Sequence, residues 1–157
     1  MTRRFFKVFL GVVLVSTGCG AHVTSPSTQV PVRVTVQATP TFVGGSDTAT
    51  FTVRVDNISQ VVVDLTFPSS CQVLPYFVNR ATGQPVTPLG GGFACATVIT
   101  RQTLRAGEGF SQVVTVKAGE APIAQAVVLP PGDYAIYARL EDSTHRVQSD
   151  QLAFTVR

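Results

Sequence analysis

The chain has 157 residues, of which 13% are charged, and a formal net charge of +3. Three of its 12 Lys and Arg residues, Arg3, Arg4 and Lys7, precede an apolar run at residues 8–15. The other nine basic residues equal the nine acidic residues in number, so the remainder is neutral and nothing favours a nucleic acid as partner. A chain of this length is expected to form one domain.

The N-terminal residues predict an export signal, because basic residues, a short apolar run and small residues follow one another in that order. The apolar run is too short to span a bilayer, for which a helix needs about 20 residues. The sequence VSTGC at residues 15–19 resembles the lipobox of bacterial lipoproteins. The resemblance implies cleavage of residues 1–18, lipid attachment at Cys19 and a place on a membrane of the cell envelope. The alternative is an ordinary secretory signal with an incidental cysteine.

Residues 19–29 predict a flexible tether, because GAHVTSPSTQ at residues 20–29 is small, polar and too poor in apolar side chains to join a core. Residues 30–157 then form the folded domain. Apolar and polar residues alternate there in segment after segment, at the period of a half-buried strand. The candidate strands are 30–37, 49–55, 61–67, 71–78, 95–100, 110–118, 133–141 and 151–157.

Turn residues separate these segments, and no window shows sustained helical spacing. Seven or eight short strands with turn signals between them predict an all-β fold, an immunoglobulin-like antiparallel β-sandwich.

Four segments resemble, in chain order, the BsuPI-type intracellular proteinase inhibitor family. They are NISQVVVDLTFPSS from Asn57, VNRATGQPV from Val78, LRAGEGF from Leu104 and LPPGDYAIYARL from Leu129. The resemblance covers most of the domain and implies an immunoglobulin-like fold that binds serine proteinases of the subtilisin kind. The matching motifs are structural, so no inhibitory residue is carried over.

The three cysteines are an odd number, which in an exported protein leaves one thiol to explain. If Cys19 is lipidated, Cys71 and Cys95 are the only possible pair. An oxidising compartment preserves such a bond. We therefore expect one disulfide, between Cys71 and Cys95.

For the other candidate sites, the residue patterns favour an ordinary structural role. Ser69 and Ser70, with Asp142 and His145, are the residue types of a hydrolase, but no GxSxG elbow surrounds the serines. Two thiols and two distant histidines, His22 and His145, are too few for a metal centre. The sequence therefore predicts no enzyme, no cofactor and no metal.

The segment between the paired cysteines is the main candidate for binding, because a closed, proline-stiffened loop loses less entropy on docking. Leu74, Tyr76 and Phe77 are its candidate contact residues, although alternation places one of the two aromatic side chains in the core. These features predict a lipid-anchored cell-envelope protein that binds another protein. The resemblance implies a proteinase inhibitor; the alternative is a structural or accessory module of an envelope assembly with no inhibitory activity.

Overall fold

The computed structural model describes residues 30–123 and 126–157. The predicted signal, Cys19 and the tether lie outside the described residues. Those described form eleven β-strands, and none of them belongs to a helix able to cross a bilayer. The strands are β1 (Val32–Thr39), β2 (Phe42–Val43), β3 (Thr48–Asn57), β4 (Val63–Phe67), β5 (Val73–Asn79), β6 (Pro85–Val86), β7 (Thr100–Leu104), β8 (Gly109–Ala118), β9 (Val127–Leu129), β10 (Gly132–Leu140) and β11 (Leu152–Val156).

The strands form two main sheets and a ribbon. One sheet has the order β1-β3-β8-β9 and the other the order β2-β11-β10-β5-β6, while β4 and β7 pair as a two-stranded ribbon. This arrangement confirms the predicted all-β, immunoglobulin-like sandwich. Seven of the eight strands of five residues or more correspond to predicted segments, and the eighth is β7. The three additional described strands, β2, β6 and β9, have only two or three residues.

Two strand pairs depart from the expected antiparallel arrangement. The pairs β2–β11 and β8–β9 are parallel. After β1 the chain leaves the four-stranded sheet through Pro40 and joins the five-stranded sheet as β2. A strand that changes sheets is not reversed by a hairpin, so its direction need not oppose that of its new neighbour.

The predicted strand at 95–100 is wrong in position, because β7 begins at Thr100. The partner strand explains the difference. β4 ends at Phe67, which is paired with Thr100, and Pro68 then begins a turn. Cys95 and the residues up to position 99 therefore have no strand beside them and are exposed.

The core lies between the sheets and consists of two clusters of buried side chains. Phe51 of β3 contacts Phe77 and Phe154 of the opposite sheet edge-to-face, with ring centroids 6.2 Å and 4.9 Å away. Burying an aromatic side chain of this size stabilises the fold by about 2–3 kcal/mol. The second cluster includes Leu65 of β4 and Leu104 of β7, so the ribbon covers that end of the core.

A proline inside β5 is tolerated because of where its nitrogen points. Asn79, four residues later, donates its backbone N–H to Gln84, away from β10. The backbone nitrogen of Pro75 points to the same side. There, among the described residues, β5 pairs only with the short β6, at Phe77 and Val78. The missing N–H of Pro75 therefore removes no ladder hydrogen bond.

Candidate protein-binding surface

Four side chains form a patch on the outer face of the five-stranded sheet, which we call the aromatic face: Leu74, Tyr76, Tyr137 and Arg139. Tyr76 of β5 is directly opposite Tyr137 of β10, and Leu74 is opposite Arg139. The two tyrosine rings are stacked, with centroids 5.3 Å apart and planes inclined by 11°. The Arg139 guanidinium lies 4.3 Å from the centroid of the Tyr76 ring, a cation–π contact.

Glu141 holds this patch in place. Its Oε1 atom accepts hydrogen bonds from the Tyr76 hydroxyl at 2.8 Å and from Arg139 Nε at 2.9 Å. Arg139 Nη2 also donates to the Tyr76 hydroxyl. Burial, together with the hydrogen bond to Glu141, raises the pKa of Tyr76 to about 12. The hydrogen bond to Glu141, the stacked Tyr137 ring and the Arg139 guanidinium together hold the Tyr76 side chain in place.

An apolar groove of about 280 Å³ lies beside the aromatic face. One wall belongs to the sheet and includes Leu74, Tyr76 and Tyr137, while the other belongs to the segment that precedes Cys95. That second wall includes Pro85, Val86, Thr87, Pro88, Gly92 and Phe93. None of the described residues that line the groove is charged, so the groove suits an apolar part of a partner.

The second wall is held by covalent and hydrogen bonds. Cys71 and Cys95 form the predicted disulfide, with Cα atoms 5.3 Å apart. Cys71 is buried and Cys95 is exposed. Next to the disulfide, Ser70 Oγ accepts a hydrogen bond from the Ala96 N–H at 2.8 Å. Further along, Leu89 donates its N–H to the carbonyl of Val128, in β9 of the four-stranded sheet, at 2.8 Å.

The structure separates the three predicted contact residues. Leu74 and Tyr76 are half-buried on the outer face, whereas Phe77 is 3% exposed and packs in the core. The expectation that one of the two aromatic residues is core is confirmed. Tyr137 and Arg139 were missed, since nothing in the sequence shows that Tyr137 is paired with Tyr76.

The hydrolase-like residues do not form a catalytic arrangement. Asp142 accepts hydrogen bonds from the N–H of His145 at 2.7 Å, from His145 Nδ1 at 2.8 Å and from the N–H of Thr66. Burial raises the pKa of Asp142, but the backbone donors of His145, Thr66 and Thr144 outweigh it and lower the pKa overall. Asp142 thus joins the loop after β10 to β4. In the part of the chain that the structure describes, no serine hydroxyl contacts His145 and no group of three metal-ligating side chains occurs.

Two segments of the inhibitor-like pattern meet in space. Asn57 is 1% exposed, and its side-chain amide donates to the carbonyls of Val61 at 2.7 Å and Leu104 at 2.9 Å. Gly107, with a φ of 76°, makes the turn that lets the Glu108 carbonyl accept the Asn57 N–H. The motifs therefore connect the β3–β4 turn to the β7–β8 turn and have a structural role.

No protein-family model matches the chain, and neither does any curated protein. The resemblance to BsuPI-type inhibitors therefore stays a prediction.

Among solved structures, the chain is similar to a β-glucosidase from Erythrobacter marinus, with 14% identity and a TM-score of 0.45, over 80% of this chain and 15% of that chain. It is also similar to the CARDB domain of a Pyrococcus furiosus protein, with 18% identity and a TM-score of 0.46, over 80% of this chain and 94% of the domain. A sporulation control protein from Bacillus subtilis has 12% identity and a TM-score of 0.44, over 81% of this chain and 49% of that chain. The chain thus spans a small part of the glucosidase and about half of the sporulation control protein.

Proposed function

We propose that the chain is a non-enzymatic, lipid-anchored protein of the bacterial cell envelope that binds a protein partner through the aromatic face. The observation that carries the proposal is the apolar groove, whose two walls are held in place before a partner arrives. A binding site that is already ordered loses less entropy on association. Tyrosine and arginine are also common among the residues that dominate binding energies.

Anchoring is the part of the proposal that rests on the sequence alone. Cys19 would carry the lipid, and residues 19–29 would separate the sandwich from the membrane. Cells expressing the full chain and grown with radiolabelled palmitate should label the protein, and the Cys19→Ser variant should be unlabelled. Equal labelling of the full chain and the variant, or no labelling of the full chain, would exclude the lipoprotein assignment.

A serine proteinase is the partner that the family resemblance suggests. Titration of a subtilisin-like proteinase with the full chain in detergent should then reduce its activity in proportion to the protein added. A Tyr137→Ala variant should inhibit less, and Thr115→Ala, an exposed change on the other sheet, should inhibit as the parent does. Unchanged proteinase activity at micromolar protein would exclude the inhibitor role.

The second candidate is an accessory module of an envelope assembly without inhibitory activity. It is favoured by the structural role of the motifs that resemble the inhibitor family, since the Asn57 side chain and the Glu108 backbone carbonyl connect two turns of the sandwich. A photo-crosslinking residue at position 74 or 137 in living cells should capture one defined protein, and the same residue at position 115 should not. Identical capture from both faces would overturn binding through the aromatic face, whichever partner is found.

A further inference from the structure

Among the residues that the structure describes, β1 is an edge strand whose outer side has no partner. It pairs with β3 along its whole length, from Val32 opposite Asn57 to Thr39 opposite Thr50. Within residues 30–123 and 126–157, no hydrogen bond reaches the backbone of β1 from any other element. An unpaired strand edge is a template for a further strand.

The register between β1 and β3 shows which backbone N–H and C=O groups of β1 point outward. Pro31 accepts the N–H of Ile58 through its carbonyl at 2.9 Å, so the odd-numbered residues bond to β3. The even-numbered residues of β1 therefore direct their N–H and C=O groups away from the sheet. These are Val32, Val34, Val36 and Ala38.

A groove of about 450 Å³ lies beside this edge, between β1 and the segment from Val147 to Leu152. Core coverage is incomplete there. Val32 and Val34 are only 2% and 4% exposed, whereas Val36 is only half-buried. On the opposite wall, Val147 and Leu152 are also half-buried although they pack against the core clusters. Apolar side chains entering from outside would complete this part of the core.

We propose that the edge of β1 and this groove together bind an extended, uncharged strand of a partner protein, with apolar side chains at alternate positions. Its backbone would pair with the outward N–H and C=O groups of β1, and its alternate side chains would contact Val36 and Leu152. This mode of recognition takes affinity from main-chain hydrogen bonds and specificity from alternate pockets. Arg33 and Asp150 both line the groove, so their formal charges balance and a neutral strand fits best.

A second copy of this chain fits the groove less well than a lone strand. The inward side chains of its own β1, such as Val32 and Val34, are already buried beneath its own sheet. They are therefore not free to enter the groove of another molecule. The site is distinct from the aromatic face, which lies on the outer surface of the opposite sheet.

Hydrogen exchange of the full chain in detergent provides the test. Without a ligand, the amides of Val34 and Val36 should exchange fast and that of Thr35, bonded to β3, should exchange slowly. The probe is an eight-residue peptide of alternating valine and threonine with a soluble uncharged tail. It should slow the exchange of Val34 and Val36, and a peptide of the same composition with its valines clustered should not.

Variants of the edge make the test specific. Val36→Pro removes an outward N–H without removing a bond to β3, so it should weaken binding of the alternating peptide by about tenfold. Ala38→Pro, nearer the strand end, is the second edge variant, and Thr115→Ala is the control. Thermal melting checks that each variant is folded. Any one of three results would overturn the proposal. These are slow amide exchange of Val34 and Val36 in the free monomer, no protection of these amides by the alternating peptide, and binding of that peptide by folded edge variants as tightly as by the parent chain. A concentration-dependent dimer that buries these amides would replace it with self-association.

Discussion

Asn57 and Leu104 are 47 residues apart in the chain, yet the Asn57 side-chain amide donates a hydrogen bond of 2.9 Å to the Leu104 carbonyl oxygen. The same amide reaches the carbonyl of Arg105 at 3.1 Å. The backbone carbonyl of Asn57 in turn accepts a hydrogen bond from the Gly107 N–H at 3.1 Å. One buried side chain thereby connects the ends of β3 and β7.

Replacing Asn57 with Ala should lower the free energy of unfolding by about 2–3 kcal/mol, because buried carbonyl groups lose their donor. Denaturant titration followed by circular dichroism measures the change. Ser59→Ala is the control, since the Ser59 hydroxyl donates a hydrogen bond to Asn57 Oδ1 in the same turn but does not reach β7, and its loss should cost about 1 kcal/mol or less. Equal costs for the two variants would contradict the central role of the Asn57 amide.

Replacing both Cys71 and Cys95 with Ser should lower the free energy of unfolding by about 3 kcal/mol, because the unfolded chain regains the freedom of the closed loop. The variant should still fold, since Ser70 and Ala96 hold the same two segments together. Limited proteolysis should then cleave the segment between positions 80 and 94 faster than in the parent. Unchanged stability and unchanged cleavage would show that the disulfide adds nothing to the order of this wall.

The carboxylate of Asp142 predicts a loss of stability in acid. Its pKa is lowered in the folded state, so the stabilisation is complete above the usual aspartate pKa of about 4 and is lost as the pH falls through the folded value. In that interval the unfolded chain binds the proton that the folded chain does not. Asp142→Asn should flatten the dependence of unfolding free energy on pH below about 4.

The matched control for this measurement is Asp150→Asn, a change at an exposed position of the loop that follows. This variant leaves the contacts of Asp142 in place, so the loss of stability in acid that Asp142 causes should remain. A parental slope in Asp142→Asn would show that other carboxyl groups account for the acid sensitivity.

Ultraviolet titration should find a tyrosine that ionises at about pH 12, and Tyr76→Phe should remove it. Burial is the main cause of this raised pKa, and the hydrogen bond to Glu141 adds to it. Glu141→Gln should therefore lower the pKa of Tyr76 while leaving it above the ordinary tyrosine value of about 10. An unchanged titration in Glu141→Gln would contradict the contact between the two side chains.

Alternation of apolar and polar residues was sufficient to predict the class of fold. In β3, for example, Ala49, Phe51, Val53 and Val55 are all buried as their spacing predicts. The period of two is a local property of an extended backbone, so it can be read without knowledge of the partners. The cysteine count similarly predicted the bond between Cys71 and Cys95, because the hypothesis that Cys19 carries a lipid leaves one pair.

The arrangement of the proposed binding surface depended on pairing between distant strands. Alternation predicted that one of Tyr76 and Phe77 is buried, but only the packing of the sheets shows that Phe77 contacts Phe51. The start of β7 followed from β4, and the contact of Tyr137 with Tyr76 followed from the register between β10 and β5. Register between strands far apart in the chain is set by the whole core and by the turns, which no short stretch of sequence contains.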